Sequence, residues 1–129
     1  MTRMLLVALG GALGSVLRYL ATGGASALLG HDFPYGTLIV NVSGSFLIGL
    51  VQSLAFDALL IPEPARLFLS VGVMGGFTTY SAFSYDTVRL AETGAWHAAW
   101  INVAATTVLC ILFCVFGLAV GRLLLTPRA

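Results

Sequence analysis

Four apolar stretches, each long enough to cross a lipid bilayer, make up most of this sequence. A membrane-spanning helix needs about 20 mostly apolar residues. The stretches cover residues of about 4–29, 36–60, 66–90 and 96–125, and short loops join them. We therefore expect an all-α integral membrane protein, with one domain of four transmembrane helices over residues 1–129.

The chain also carries too little charge to cover a surface that faces water. Only 9% of its 129 residues are charged and 59% are hydrophobic, whereas soluble domains carry about 25% charge. All six basic residues are arginines, and they are scattered along the sequence. This composition excludes a soluble enzyme and a nucleic-acid-binding protein. It predicts a multi-pass protein of the cell membrane, which is the inner membrane if the source is Gram-negative.

The arginines also carry weak information about orientation. With four spans, both termini lie on one side, together with Arg3, Arg66, Arg122 and Arg128, and Arg89 lies on the other. The positive-inside rule then favours cytoplasmic termini. Because this bias rests on five residues, it leaves room for copies inserted in the opposite orientation.

Arg18 is the basic residue that lies deepest within a predicted span. It follows Arg3 by about 22 Å along a helix, within the first span but nearer its far end. One interpretation is an arginine whose side chain reaches the lipid headgroups. The other is a fixed positive charge at the entrance of an anion path. On the same helix, Gly10 and Gly14 have a spacing typical of close helix packing.

Polar residues in the second and fourth spans have two interpretations each. Asn41 either joins two helices by a hydrogen bond or offers an N–H donor to a pore. Asn102, Thr106 and Cys110 share one face of a helix at intervals of four residues. They form either a hydrogen-bonding track for an ion or polar contacts between helices, and the neighbouring Thr107 is an alternative pore-facing residue.

The third span combines glycines with hydroxyl groups at mid-membrane. Residues 72–84 read GVMGGFTTYSAFS. Each glycine costs about 1 kcal/mol of helix stability relative to alanine, and hydroxyl side chains offer the backbone alternative hydrogen bonds. The segment is either a closely packed, glycine-rich helix or a helix that breaks at this depth. A break frees backbone carbonyls that can bind a hard cation.

Several kinds of chemistry lack the residues that they need. A proton-coupled exporter needs a carboxylate deep in a span, but Asp57 and Asp86 both lie near span ends. His31 and His97 fall in predicted loops and belong to no metal-ligand cluster. We therefore expect no enzyme, and we keep a small four-span proton-coupled exporter and a non-transporting packing subunit as alternative functions.

Three glycine-rich motifs together resemble the Fluc-type fluoride channels of the CrcB family. The motifs are GGALGSVLRY at residues 10–19, GTLIVNVSGSFLIG at residues 36–49 and GGFTTYSAFS at residues 75–84. In length, number of spans and order of motifs, the resemblance covers nearly the whole chain. It implies a passive, fluoride-selective channel that lets fluoride leave the cytoplasm and so relieves its toxicity. It also implies a broken third helix and a dual-topology homodimer of antiparallel chains with two pores.

The resemblance further implies a role for individual residues. A structural sodium ion, which is not transported, would lie at the dimer centre and be held by the backbone carbonyls of Gly75 and Thr78. Asn41 would supply the pore amide, and Arg18 would lie near the vestibule. The remaining residues that we expect along the anion path are Thr79, Tyr80, Ser81, Phe83, Thr106 and Thr107.

One position departs from the family pattern. Tyr80 occupies a position where these channels usually have the first of two phenylalanines, the second being at Phe83. The edge of an aromatic ring is electropositive and can face an anion without a formal charge. The Tyr80 hydroxyl replaces part of that edge with an O–H donor, so we expect conduction to persist at an altered rate.

Overall fold

The chain folds into helices that are joined by short turns. The computed structural model describes residues 1–57 and 60–125, apart from the side chain of Asp57. Arg128, the Asp57 carboxylate and residues 58–59 of the second predicted span lie outside this described part. Its elements are α1 (Thr2–Leu29), α2 (Tyr35–Gln52), π-helical turns at Ser53–Asp57, α3 (Glu63–Arg66), π-helical turns at Leu67–Met74, α4 (Gly75–Phe77), α5 (Tyr80–Glu92) and α6 (Trp96–Leu125).

These elements form four helical spans that are long and apolar enough to cross a membrane. The spans are Thr2–Leu29, Tyr35–Phe56, Glu63–Glu92 and Trp96–Leu125, which confirms an all-helical chain with four spanning helices. The third span begins earlier than the sequence suggested. Pro64 lies in the first turn of α3, where a proline fits because the backbone N–H that it lacks would have no helical partner there.

The first and third spans pack closely because glycines face each other across the contact. An alanine at Gly72 would place its Cβ 2.8 Å from the Gly10 Cα, and a Cβ at Gly14 would collide with the Val73 carbonyl oxygen. Gly72 and Gly76 repeat the four-residue spacing of Gly10 and Gly14. The glycine pair of α1 is therefore a packing feature, as its spacing predicted.

The second and fourth spans, formed by α2 and α6, also pack closely through glycines. A Cβ at Gly49 would collide with the Cys114 carbonyl oxygen, and one at Gly117 would collide with the Phe46 carbonyl oxygen. Gly121 lies against Ser53, whose Cβ would be 2.6 Å from an added Cβ. Each of the two contacts thus brings backbone against backbone, which allows close packing without large side chains.

The outer surface of the bundle is apolar over most of its area. In an apolar stretch of 18 residues in α1, only 11% of the residues are buried inside the chain, and the share is the same for α6. The exposed side chains include Leu20, Trp100, Ile111 and Leu123. Charged contacts lie at the ends of the bundle, where an ion pair of 3.0 Å joins Arg3 of α1 to Glu63 of α3. This distribution suits lipid along the sides of the bundle and water at its ends.

The glycine contacts lead to a test of packing. We expect Gly14→Ala to lower the stability of the purified protein by about 1–3 kcal/mol, because the added methyl group collides with the backbone of the third span. Gly24→Ala on the same helix is the matched control, since a Cβ there meets nothing within 4 Å. The control should be neutral or stabilising, because alanine favours a helix. Equal unfolding midpoints in detergent for the two variants would contradict the packing described here.

Candidate functional site

The third span changes conformation at two residues near its middle. α4 ends at Phe77 and α5 begins at Tyr80. Between them, Thr78 has φ −79° and ψ 156°, and Thr79 has φ −152° and ψ 109°. Both residues are extended, so the backbone groups around them cannot all form helical hydrogen bonds. Buried backbone groups need other partners when helical ones are lost.

Asn41 of α2 supplies these partners to Thr79. Its Nδ2 donates to the Thr79 carbonyl oxygen at 3.0 Å, and its Oδ1 accepts from the Thr79 N–H at 2.7 Å. Both residues are buried. A side-chain amide thus pairs with an extended residue as a neighbouring β-strand would. The amide nitrogen carries two N–H groups, so one donor remains after this pairing.

Thr79 also starts the helix that follows it. Its Oγ1 accepts from the backbone N–H of Ala82 at 3.1 Å and lies 3.3 Å from the Ser81 Oγ. This is the arrangement of an N-cap, in which a threonine oxygen satisfies one of the free N–H groups of a first helical turn. The Thr78 hydroxyl instead bonds to the segment that precedes it, because it donates to the Met74 carbonyl oxygen at 2.9 Å.

The hydrogen bonds of Thr79 leave two carbonyls without their usual helical donors. In an α-helix, a carbonyl accepts from the N–H four residues later. The Gly75 carbonyl would accept from the N–H of Thr79, but that N–H donates to Asn41. The Thr78 carbonyl would accept from the N–H of Ala82, but that N–H donates to the Thr79 hydroxyl. Gly75 is exposed, and a Cβ there would meet nothing within 4 Å. Its backbone is therefore open to approach from outside the chain.

A surface groove of about 490 Å³ runs along this region. Its walls come from α2, the third span and α6. It brings together eight of the ten residues that the sequence analysis selected, namely Asn41, Gly75, Thr78, Thr79, Tyr80, Phe83, Thr106 and Thr107. None of the described residues that line it is charged. Hydroxyl, amide, aromatic and sulfur-containing groups therefore provide the polarity of these side chains.

Two aromatic rings stand together in the groove. The ring centroids of Tyr80 and Phe83 are 5.3 Å apart, with an angle of 52° between the ring planes. Phe83 is buried, whereas Tyr80 is 80% exposed. The tilt places neither ring flat against the other, so an edge is left for a neighbouring group.

The polar residues of α6 have two different roles. Thr106 and Thr107 both line the groove, and Thr106 is the more buried of the two. Asn102 is fully buried and donates from Nδ2 to the Thr87 hydroxyl at 2.9 Å, while its Oδ1 accepts from Thr106 at 3.4 Å. Asn102 does not line the groove. Its bonds link α6 to α5, so of its two interpretations the contact between helices is the one observed.

Arg18 and Ser81 are the two selected residues outside the groove lining. Arg18 is half-buried on α1, and its guanidinium has no hydrogen bond or ion pair with another residue in the described part of the chain. Ser81 is exposed beside Thr79, next to the groove.

A second cavity, of about 430 Å³, lies near the turns at residues 30–34 and 93–95. Charged and polar side chains line it, among them His31, Asp32, Asp86 and Arg89. The Thr37 hydroxyl donates to the Asp86 carboxylate at 2.6 Å. Asp86 therefore lies towards the end of its span, as predicted, and does not line the groove.

Ser70 lines the groove but carries no signal in the sequence. It lies in the π-helical segment Leu67–Met74, its side chain is buried, and its Oγ has no hydrogen-bond partner among the described residues. Serine is common in membrane helices, where its hydroxyl usually bonds to the backbone of the preceding turn. Only the backbone geometry distinguishes this serine from the others.

Comparison with known proteins places the chain in a family. Residues 5–118 match the family described as CrcB-like protein, Camphor Resistance (CrcB). The chain belongs to the CrcB family. The match includes parts of all four spans, and the first and last spans extend beyond it at the two ends of the chain. This finding confirms the resemblance that the three glycine-rich motifs indicated.

Several curated CrcB relatives are similar over nearly their full length. The "Fluoride-specific ion channel FluC" of Geobacter sulfurreducens is 47% identical over 122 residues, which is 95% of this chain and 98% of the relative. The protein of the same name from Anaeromyxobacter sp. (strain K) is 52% identical over 112 residues, or 87% and 89% of the two chains. That of Sorangium cellulosum is 46% identical over 125 residues, or 97% and 98%. Together with the four spans, these matches show a multi-pass membrane protein of the CrcB family.

The N-cap at Thr79 leads to a second prediction. Thr79→Val keeps the branched shape of the side chain but removes the oxygen that accepts from the Ala82 N–H. We expect a loss of about 1 kcal/mol in the free energy of unfolding. Thr79→Ser is the control, because it keeps the acceptor and should remain close to the original chain. Denaturant titration of the three proteins in detergent measures the difference, and an unchanged Thr79→Val would contradict the capping role.

Proposed function

We propose that this chain is a fluoride-selective ion channel, not an enzyme, through which fluoride leaves the cytoplasm passively. This flow reduces fluoride toxicity. The observation that carries the proposal is the groove, which lies at mid-span and combines a largely apolar lining with uncharged hydrogen-bonding groups. Relatives that match nearly the whole chain bear the name of a fluoride-specific channel, which supports the same conclusion.

The chemistry of the groove suits a small anion. Fluoride loses its hydration in a narrow path, so donors along the path must replace the water. The second N–H of Asn41 and the hydroxyls of Thr107 and Tyr80 are such donors, whereas the single O–H of Thr106 already donates to Asn102. The edge of the Phe83 ring adds positive potential without a formal charge. Neutral groups bind an anion weakly enough to release it, which conduction requires.

A second copy of the chain would complete the path. The groove is open on the outer face of the bundle, where lipid cannot form hydrogen bonds with Thr107 or Ser81, both of which are exposed. A homodimer with one copy inverted would place the two interruptions of the third span against each other. We propose this antiparallel, dual-topology dimer, in which the extended residues Thr78 and Thr79 form the functional break of the third helix.

The residues at the interruption fit a structural sodium ion. Sodium is a hard cation that binds oxygen ligands, and a backbone carbonyl without a hydrogen bond is one. The carbonyls of Gly75 and Thr78 lack their usual helical donors because of the bonds at Thr79. Two such carbonyls from each copy would give four ligands and require no acidic side chain. When bound, this ion would hold the two copies together and would not be transported.

Arg18 would act outside the groove, near the vestibule. Its guanidinium has no ion pair within the described residues, so its charge is available to an approaching anion. A positive charge at an entrance raises the local concentration of anions. Fluoride would therefore collect near Arg18 before it enters the uncharged groove.

The alternative functions fit the structure less well. An exporter that exchanges protons for cations needs a titratable carboxylate on the transport path, and none of the described residues that line the groove carries one. Asp86 accepts from Thr37 near the end of its span instead. A non-transporting subunit would need a larger partner to cover the groove, and the purified chain would then carry no ion.

Efflux from liposomes tests the proposed function directly. Purified protein, verified as a dimer in the presence of sodium, is reconstituted in liposomes loaded with equal concentrations of fluoride and chloride. We expect rapid loss of fluoride with little loss of chloride, because the groove offers donors but no fixed charge. Absence of fluoride efflux from the verified dimer would overturn the channel. Tyr80→Phe, which restores the usual family residue, would then show whether the tyrosine alone blocks the path.

A second experiment tests the ring in the groove. Phe83→Ile keeps an apolar side chain but removes the electropositive ring edge, so we expect fluoride efflux to fall about tenfold or more. Phe113→Ile is the matched control, because Phe113 lies on α6 and does not line the groove. Equal efflux through the two variants would contradict the position of Phe83 on the anion path.

A further inference from the structure

Ser70 is a buried hydroxyl group without a partner at one side of the groove. The residue is only 8% exposed, and its Oγ forms no hydrogen bond. It is nevertheless one of the residues that line the groove. A buried hydroxyl with no partner is costly in a folded protein. Such a group is retained where a ligand or a water molecule completes its bonding.

Other hydroxyls of the spans do not share this condition. The side chains of Thr22, Ser43, Thr78, Ser84, Thr87 and Thr93 each donate to the carbonyl oxygen four residues earlier. Ser70 lies instead in a π-helical segment. The wider turns of a π-helix move that carbonyl out of its usual place. The backbone therefore leaves the Ser70 O–H free to donate to something else.

The position of Ser70 extends the polar lining of the groove beyond the interruption. Thirteen residues separate it from Phe83, which corresponds to about 20 Å along a helix. Ser70 lies on the part of the third span nearer α3. The Arg3–Glu63 ion pair joins α3 to the N-terminal turn of α1. At this end, Ser45 and Cys110 also line the groove, beside apolar Ile48 and Ile111.

We propose that the Ser70 hydroxyl donates a hydrogen bond to the permeating anion, at a second site on the side of the groove nearer the chain termini. This inference rests on the proposed channel function. The first site is at Asn41 and Phe83, and the second is at Ser70, in the groove that Ser45 also lines. Two weak sites in sequence let an ion enter one while another leaves, which supports rapid conduction.

The test compares Ser70→Ala with the original chain in the fluoride efflux assay. We expect efflux to fall about tenfold, as follows from the loss of one hydrogen bond to a charged group. Ser43→Ala is the matched control, because the Ser43 hydroxyl donates to the Ile39 carbonyl and does not line the groove. Ser70→Cys keeps the size of the side chain with a weaker donor, so its efflux should be intermediate.

A stability measurement separates an ion site from a structural role. Because Ser70→Ala removes a buried hydroxyl that has no partner, its unfolding midpoint in fluoride-free detergent should equal or exceed that of the original chain. A protein that is as stable but conducts more slowly supports the site. A Ser70→Ala protein that conducts like the original chain overturns it while the channel stands. An original chain that conducts no fluoride overturns the channel and the site together.

Discussion

The reciprocal hydrogen bonds between Asn41 and Thr79 are the interaction on which the site depends. An extended residue inside a membrane span is tolerated only where its backbone groups find partners within the protein. The Asn41 amide supplies both a donor and an acceptor to Thr79. The same bonds divert the N–H that would otherwise serve Gly75. One side chain of α2 therefore stabilises the interruption and leaves the Gly75 carbonyl without its usual helical donor.

The glycine contacts make this interaction geometrically feasible. A side-chain amide reaches a neighbouring backbone only when the two helices lie close together. Gly44, one turn after Asn41, lies against the Thr78 side chain, where a Cβ would collide with the Thr78 Cγ2. Gly14 and Gly76 hold the other side of the third span against α1. The interruption is thus fixed between two close contacts.

The sequence predicted the features that depend on local composition and missed those that depend on neighbours. The four spans follow from runs of apolar residues, and the α1 contact follows from the spacing of Gly10 and Gly14. The family motifs identified most of the residues that line the groove, among them Asn41, Thr79 and Phe83. The partner of Asn41 lies 38 residues away, and no local pattern encodes that distance. Ser70 was missed for a similar reason, since a π-helical turn has no simple sequence signature.

The distribution of charge explains how such a groove can pass an anion. The described charged side chains lie outside the groove lining, and several of them line the cavity near Asp86 and Arg89. A fixed positive charge inside the groove would bind an anion strongly and slow its release, while a negative charge would exclude it. Neutral donors avoid both outcomes, but they work only when water and lipid are kept away. The proposed channel therefore requires protein to cover the open side of the groove, and in the proposed dimer a second copy of the chain would bring the required polar surface.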